Sequence, residues 1–253
     1  MKKPIYLITM VFVMSIMLSL NTWPANPDKT LMLYLPFEEG NGDATKDMSQ
    51  YDHEANLVNK PSWVDGKKGK ALEFTGNNYV IIPIVDDLQL QEAFSVNFWV
   101  KRAEVQPAEW CYMVAAGTLK WAVIFNSNGK VGYIWSTSGG GWAQRLVTKN
   151  NLTTDWTHVA VNYDVDQGVE EYFNAELVGE GAKPPKVDAI DGSFMVGARN
   201  PGQEFFKGII DEVAIYNRAL TLDEIKRDME AVGGAAVSNS GKLASTWANI
   251  KSK

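Results

Sequence analysis

Short segments that alternate apolar and polar residues, each closed by a turn rich in Gly, Asn or Asp, run along most of this chain and restrict the architectures open to it. In FSVNFWVKR, Phe94, Val96, Phe98 and Val100 share one face while Ser95, Asn97, Trp99 and Lys101 share the other, which is the period of a strand. LMLYLPF (Leu31–Phe37), KALEF, NYVIIP, KWAVIFNSNGKVGYIW, WTHVAVNYD, VEEYFNAELV, SFMVGAR and FKGIIDEVAIYNR also read as strands or hairpins. Asn128-Gly129 supplies the positive φ that a tight hairpin turn requires. Roughly a dozen strands, no strand–helix–strand alternation and no fixed-period repeat predict an all-β chain whose antiparallel sheets pack as a sandwich. One helix is predicted: Thr221 and Glu224 form a capping box opening LDEIKRDMEAV, and Gly233-Gly234 ends it.

The chain has 253 residues, enough for one large core. Its first residues, MKKPIYLITMVFVMSIMLSLNTWPA, place Lys2 and Lys3 before an apolar run from Ile5 to Leu20 and finish at Pro24-Ala25. That is the three-part pattern of a secretory leader, and the run is short for a span of ~20 residues. The expected organisation is a signal peptide at 1–25, one domain at 26–232 and a flexible tail at 233–253. No membrane span is expected after signal cleavage, and the expected destination is the cell exterior, the cell surface or the periplasm. A net charge of −6 argues against a nucleic-acid partner, which needs a basic surface. Cys111 is the single cysteine, so no intramolecular disulfide is possible. Within WCYMVAA it reads as a small buried hydrophobe.

Taken in order, these blocks resemble a known family. FKGIIDEVAIYNRALTLDEI, LYLPFEEGNGDATKDMS, WVDGKKGKALEFTGNNYVIIP, FSVNFWVK and WTHVAVNYD followed by VEEYFNAELV are similar to LamG-like jelly-roll domains of the concanavalin A-like lectin/glucanase superfamily. The match runs from about Leu31 to Val232. It implies a two-sheet antiparallel jelly-roll β-sandwich with a short C-terminal helix. The chain departs from the pattern at the late hairpin turn, Asn174-Ala175 in place of Asn-Gly, and at Thr75, where an acid often follows the LEF strand.

Three expectations concern function. The first is a structural calcium, which the resemblance implies, with Asp211 as side-chain ligand and Glu38, Thr75 and Gly76 as further candidates; calcium accepts many oxygens in loose geometry. Alternation puts Asp211 and Glu212 on opposite faces of their strand, so one carboxylate nears the interior and needs a partner. Capping of backbone N–H groups by Asp211, or pairing with Arg218 or Lys207, stands as the other reading. The second is a ligand site. Among nine tryptophans, Trp110 and Trp142 are the candidates, with Gln144 and Arg145 beside Trp142 in what reads as a Gly-rich loop. An indole face stacks on a sugar ring and also anchors protein interfaces. Trp121, Trp135, Trp99 and Trp156 are assigned to the core. The expected partner is a glycan or an extracellular protein. The third is the absence of catalysis. No Glu-x-Asp-x-x-Glu pattern brings two acids to one face. Glu170 and Glu171 are adjacent and face opposite ways. Asp164 and Asp166 enter a turn. His53 reads as exposed and His158 as structural. Neither a nucleophile motif nor paired cysteine ligands is present.

Overall fold

The computed structural model describes residues 28–118, 120–126, 128–137, 141–199 and 202–230, with the backbone alone at 137 and 141–147. The leader at 1–25 and the tail at 233–253 lie outside the described residues. The strands are β1 (Leu31–Leu35), β2 (Ala44–Lys46), β3 (Glu54–Val58), β4 (Ser62–Asp65), β5 (Lys70–Thr75), β6 (Tyr79–Pro83), β7 (Ala93–Arg102) and β8 (Trp110–Ala116). They continue with β9 (Trp121–Asn126), β10 (Val131–Thr137), β11 (Gly141–Val147), β12 (Thr157–Asp164), β13 (Gly168–Phe173), β14 (Glu176–Gly181), β15 (Ser193–Val196) and β16 (Lys207–Tyr216). Helix α1 is Leu222–Glu230.

Two antiparallel sheets result. One runs β14-β13-β12-β7-β16-β5-β4, with β1 also paired to β16; the other runs β11-β10-β9-β8-β15-β6-β3-β2. We refer to them as sheet A and sheet B. The inward rows interdigitate as the alternation predicts: Phe94, Val96, Phe98 and Val100 from β7 and Val159, Val161 and Tyr163 from β12 meet Trp121, Val123, Phe125, Tyr133 and Trp135 from sheet B. Phe94 is stacked against both Trp121 (4.8 Å) and Tyr163 (4.9 Å), so the two sheets meet through aromatic faces. Cys111 is fully buried in this core, and burial pushes its thiol up to about 11, as a small apolar filler requires.

The polar stretch after β1 forms β2 and β3, which complete an edge of sheet B. Alternation is too brief there to show in sequence. β1 ends at Leu35 rather than Phe37, because Pro36 has no N–H for the ladder and Phe37 turns to φ 57°. Trp156, assigned to the core, is only half-buried. The capping box forms as expected: Glu224 N–H donates to Thr221 Oγ1 (3.3 Å) and Thr221 N–H donates back to Glu224 (2.9 Å). The helix lays Ile225 on the outer face of sheet A with Leu31, Tyr34, Ala160, Tyr172, Ala214, Tyr216 and Leu220. Among the described residues no helix is long and apolar enough to cross a membrane.

Candidate functional site

The acid pair occupies a gap in sheet A. β16 pairs with β5 through Lys207–Ile210 and with β1 through Val213–Tyr216, so Asp211 and Glu212 fall where one neighbour leaves and the other arrives. The β7 pairing shifts by one residue between Asp211 and Ala214, and Glu212 takes φ 55°. This bulge overturns the expectation of opposite faces. Ile210 and Val213 both point into the core. Both acids therefore lie outside it: Asp211 is opposite Trp99, whose indole sits beneath the Lys67 ammonium at 4.5 Å. Glu212 accepts a short hydrogen bond from the Tyr34 hydroxyl. Burial raises the Asp211 carboxyl to about 7 against the opposing effect of the Lys68 N–H that donates to Oδ2 (3.0 Å).

The loop between β4 and β5 fills the gap. Glu38 accepts the Lys70 N–H (3.1 Å) and lies against Gly69, whose φ of 49° and missing side chain admit it. Oxygens converge beside Gly66. The point where a β-carbon would sit lies 2.6 Å from Asp211 Oδ2, 2.7 Å from Lys70 O and 2.8 Å from Lys68 O. Asp211 Oδ1 is buried without a hydrogen-bond partner. That point is one bond length from the Gly66 α-carbon and is not itself a cation position, but the oxygens crowded beside it and an orphaned carboxylate oxygen are the donor type that a hard cation such as calcium takes. No group of three His, Cys, Asp or Glu side chains suited to a metal occurs among the described residues, so such a cation would depend on the main-chain carbonyls. Thr75 and Gly76 do not join this cradle. They sit at the far end of β5, where Thr75 is opposite Lys207, about 13 Å along the strand from Asp211 at ~3.3 Å per residue. The Thr75 N–H is taken by Asn78 (3.0 Å). Arg218 also stays away from Asp211 and pairs with Glu224 (2.8 Å).

The second candidate region is the outer face of sheet B. Tyr112, Ala115, Ala122, Ile124 and Ile134 form an apolar row turned away from the main core, all five buried, with Trp110 packed at its end, half-buried. Trp110 is therefore on this face. Trp142, Gln144 and Arg145 are not on a loop; their backbone belongs to β11. The register sets Trp142 opposite Ser136 and Gln144 opposite Ile134, positions of the outward row. Arg145 is opposite Tyr133, whose ring is in the core, so its position belongs to the inward row and is split from the other two.

The sequence reading missed residues that complete this face. Tyr79 on β6 and Phe205, just before β16, are half-exposed with ring centroids 6.2 Å apart. Phe205 also forms an isolated bridge with Tyr112. Beside them the Arg199 guanidinium is paired with Glu204 and donates to Gln203 Oε1 (2.7 Å). Glu204 is held at φ 49°, an uncommon conformation for a non-glycine residue. Burial, then the Glu204 charge, pushes the Tyr112 phenol up to about 12. Only the Tyr79 alternation hinted at this site, since its parts are distant in sequence.

The other polar candidates have structural partners. His53 is half-buried rather than exposed, with its side chain well covered. Its Nδ1 meets Asp47 (2.7 Å), its Nε2 meets Asp87 (3.1 Å), and Tyr51 stacks on it. His158 is buried beneath Trp99, and burial depresses its pKa to about 3, so it is neutral. Asp164 Oδ1 accepts the N–H groups of Asp166 (2.8 Å) and Gln167 (3.1 Å), the work of a turn. Glu170 and Glu171 do face opposite ways. Glu171 enters the sandwich, where it is fully buried and neither carboxyl oxygen has a partner.

The comparisons agree with this geometry. A family model described as the concanavalin A-like lectin/glucanases superfamily matches residues 74–226. Sequence comparison with curated proteins returns no match. Among solved structures, domain 4 of AbnA, a GH43 extracellular arabinanase from Geobacillus stearothermophilus in complex with arabinotriose, is similar at TM-score 0.64 and 24% identity, over 79% of this chain and 98% of that one. The binding domain of Paraclostridial Mosquitocidal Protein 1 gives TM-score 0.64 and 15% identity, over 78% and 51%. The Botulinum neurotoxin serotype D ligand binding domain in complex with N-acetylneuraminic acid gives 0.62 and 16%, over 78% and 50%. The chain thus spans about half the length of those toxin domains. With sheet order, capped terminal helix and a family model covering more than half of its length in agreement, the chain belongs to the concanavalin A-like lectin/glucanases superfamily.

Proposed function

We infer that the protein is a non-catalytic carbohydrate-binding module whose glycan lies on the outer face of sheet B. One observation carries this reading. Tyr79, Trp110 and Phe205, each half-buried, present aromatic surface on rigid strands or beside them, with Phe205 bridged to the buried Tyr112, next to an Arg199–Glu204–Gln203 group whose side chains are already fixed by each other. Flat apolar rings flanked by oriented donors and acceptors suit the C–H face and the hydroxyls of a sugar. Resemblance in fold to the arabinotriose-bound and N-acetylneuraminic-acid-bound domains supports a binding role without specifying the sugar. A non-catalytic role is supported by the acids: Asp164 caps a turn, Asp211 and Glu38 stitch a loop into the sheet gap, and Glu212 holds the Tyr34 hydroxyl.

Calcium belongs to the same reading as a structural cation, held by Asp211, the Lys68 and Lys70 carbonyls and, from the adjoining loop, Glu38. Bound there, it would neutralise buried carboxylates and tie the β4–β5 loop to β16.

The test is a glycan array followed by calorimetric titration of the best hit, on the full mature chain with and without calcium. Tyr79→Ala and Phe205→Ala, verified as folded by melting, should each weaken binding by roughly tenfold or more, a loss of about 1.4 kcal/mol. A blank array in both conditions would remove the glycan reading and leave an extracellular protein as the partner of this face. Binding that neither variant disturbs would move the site elsewhere.

A further inference from the structure

Sheet A carries a cleft that the aromatic face of sheet B does not use. It has a volume of about 300 Å³ and lies where the β12–β13 hairpin meets the start of α1. That is the lower end of the size range for small-molecule sites. Its floor is rigid. Asn162 is almost fully buried and donates to Leu220 O (2.7 Å), while its Oδ1 receives Ser95 Oγ (2.6 Å) and the Leu220 N–H (3.1 Å). One wall is Tyr172, whose hydroxyl donates to Glu170 Oε2 (2.9 Å), the oxygen that Asn162 Nδ2 also approaches (3.3 Å). The mouth holds Asp164 and Gln167, joined side chain to side chain at 3.1 Å.

The lining defines the guest. Among the described residues no Lys, Arg or His borders the cleft, and two carboxylates do. The Tyr172 hydroxyl is spent on Glu170, and the Asn162 amide on Glu170 and Leu220. Glu170 Oε2 takes both of its bonds, which leaves Oε1 for a guest. An anion would find repulsion and no cation. A molecule that donates hydrogen bonds from a compact ring would find fixed acceptors, an aromatic wall and the apolar edges of Leu220 and Leu222.

We propose that this cleft is a second ligand site, taking a single sugar unit that is neutral or carries an amino group and excluding uronic and sialic acids. It is independent of the sheet B platform in position and in lining residues.

Ligand-observed NMR on the full mature chain, with D-glucose, D-glucosamine and D-glucuronate as separate probes, tests the proposal. Glucose and glucosamine should show contact with the protein and glucuronate none, and Tyr79→Ala should leave this pattern unchanged. Glu170→Gln keeps an acceptor for Tyr172 and removes the charge, and it should cut glucosamine affinity at least fivefold. Ala219→Phe, at the half-buried rim, combined with Tyr79→Ala to silence the sheet B platform, should abolish both signals while the melting temperature holds. Any of four results would overturn the assignment: no contact from any probe, glucuronate equal to glucose, signals lost in Tyr79→Ala, or signals kept in the Tyr79→Ala, Ala219→Phe double variant. The third would hand the sugar to sheet B, so failure here and failure of the platform remain distinguishable.

Discussion

Replacing Glu171 should make the protein more stable, and by an amount that grows with pH. The side chain is fully buried on the inward row of β13, opposite Val161, and neither oxygen finds a hydrogen-bond partner. Burial raises its carboxyl well above the ordinary range, so the native state holds it protonated. In the unfolded chain it ionises normally, near ~4.3. Between those two values the native state binds one proton more than the unfolded state, so stability falls as pH rises, by about 1.4 kcal/mol per pH unit. Below the unfolded value both states are protonated and the slope vanishes. Glu171→Gln keeps the shape and removes the titration. Its stability relative to wild type should therefore rise between pH 5 and pH 7, with about 2.7 kcal/mol as the ceiling that one proton sets over two pH units. Glu171→Leu should gain in addition, because two orphaned polar atoms give way to apolar ones. Urea unfolding of the three proteins at pH 5, 6 and 7 measures this directly, and slopes common to all three cancel. Parallel pH profiles for wild type and Glu171→Gln would refute the reasoning, since they would mean an ionised carboxylate with a partner.

Other outcomes follow from the same structure. Ala175 closes the β13–β14 hairpin at φ 63° beside Asn174 at 49°. Ala175→Gly relieves about 1–2 kcal/mol of left-handed strain and loses part of that in chain entropy and methyl contact, so thermal melting should show a net gain of up to about 1 kcal/mol. For His53, burial alone would lower the pKa, but hydrogen bonds to Asp47 and Asp87 outweigh it and the net shift is upward. Its contribution should be complete below the unfolded value near ~6.5 and be lost as pH rises through the folded value, so His53→Gln should cost about 1.5 kcal/mol at pH 5.5 and much less at pH 9. Calcium at a hundredfold excess over its Kd should add about 2.7 kcal/mol, a melting shift of roughly 5–10 °C that Asp211→Asn abolishes; an unchanged melt with calcium and with EDTA would remove the cation from the Asp211 cradle.

Residues adjacent in sequence determined much of this protein without help from its fold. The period of two in β7 sets which side chains enter the core, because a strand turns successive residues to opposite faces whatever lies beside it. Thr221 and Glu224 specify the helix start through bonds made within one turn. The two-sheet architecture follows, since a row of strands with one apolar face must bury it against another. What the sequence could not show depends on partners far along the chain. The bulge at Glu212 arises where β1 and β5 share one side of β16, and it carries both acids out of the core against the alternation. Pairing β11 with β10 converted a Gly-rich loop into a strand and separated Arg145 from Trp142 and Gln144, because one step of register changes the face. Tyr79, Tyr112 and Phe205 meet only after three separate segments dock side by side. Thr75 and Asp211 are held apart because β5 runs antiparallel to β16, so residues past the LEF strand travel away from the acid they were expected to join. Local periodicity fixed what each strand buries; the pairing of strands distant in sequence decided which polar groups share a site.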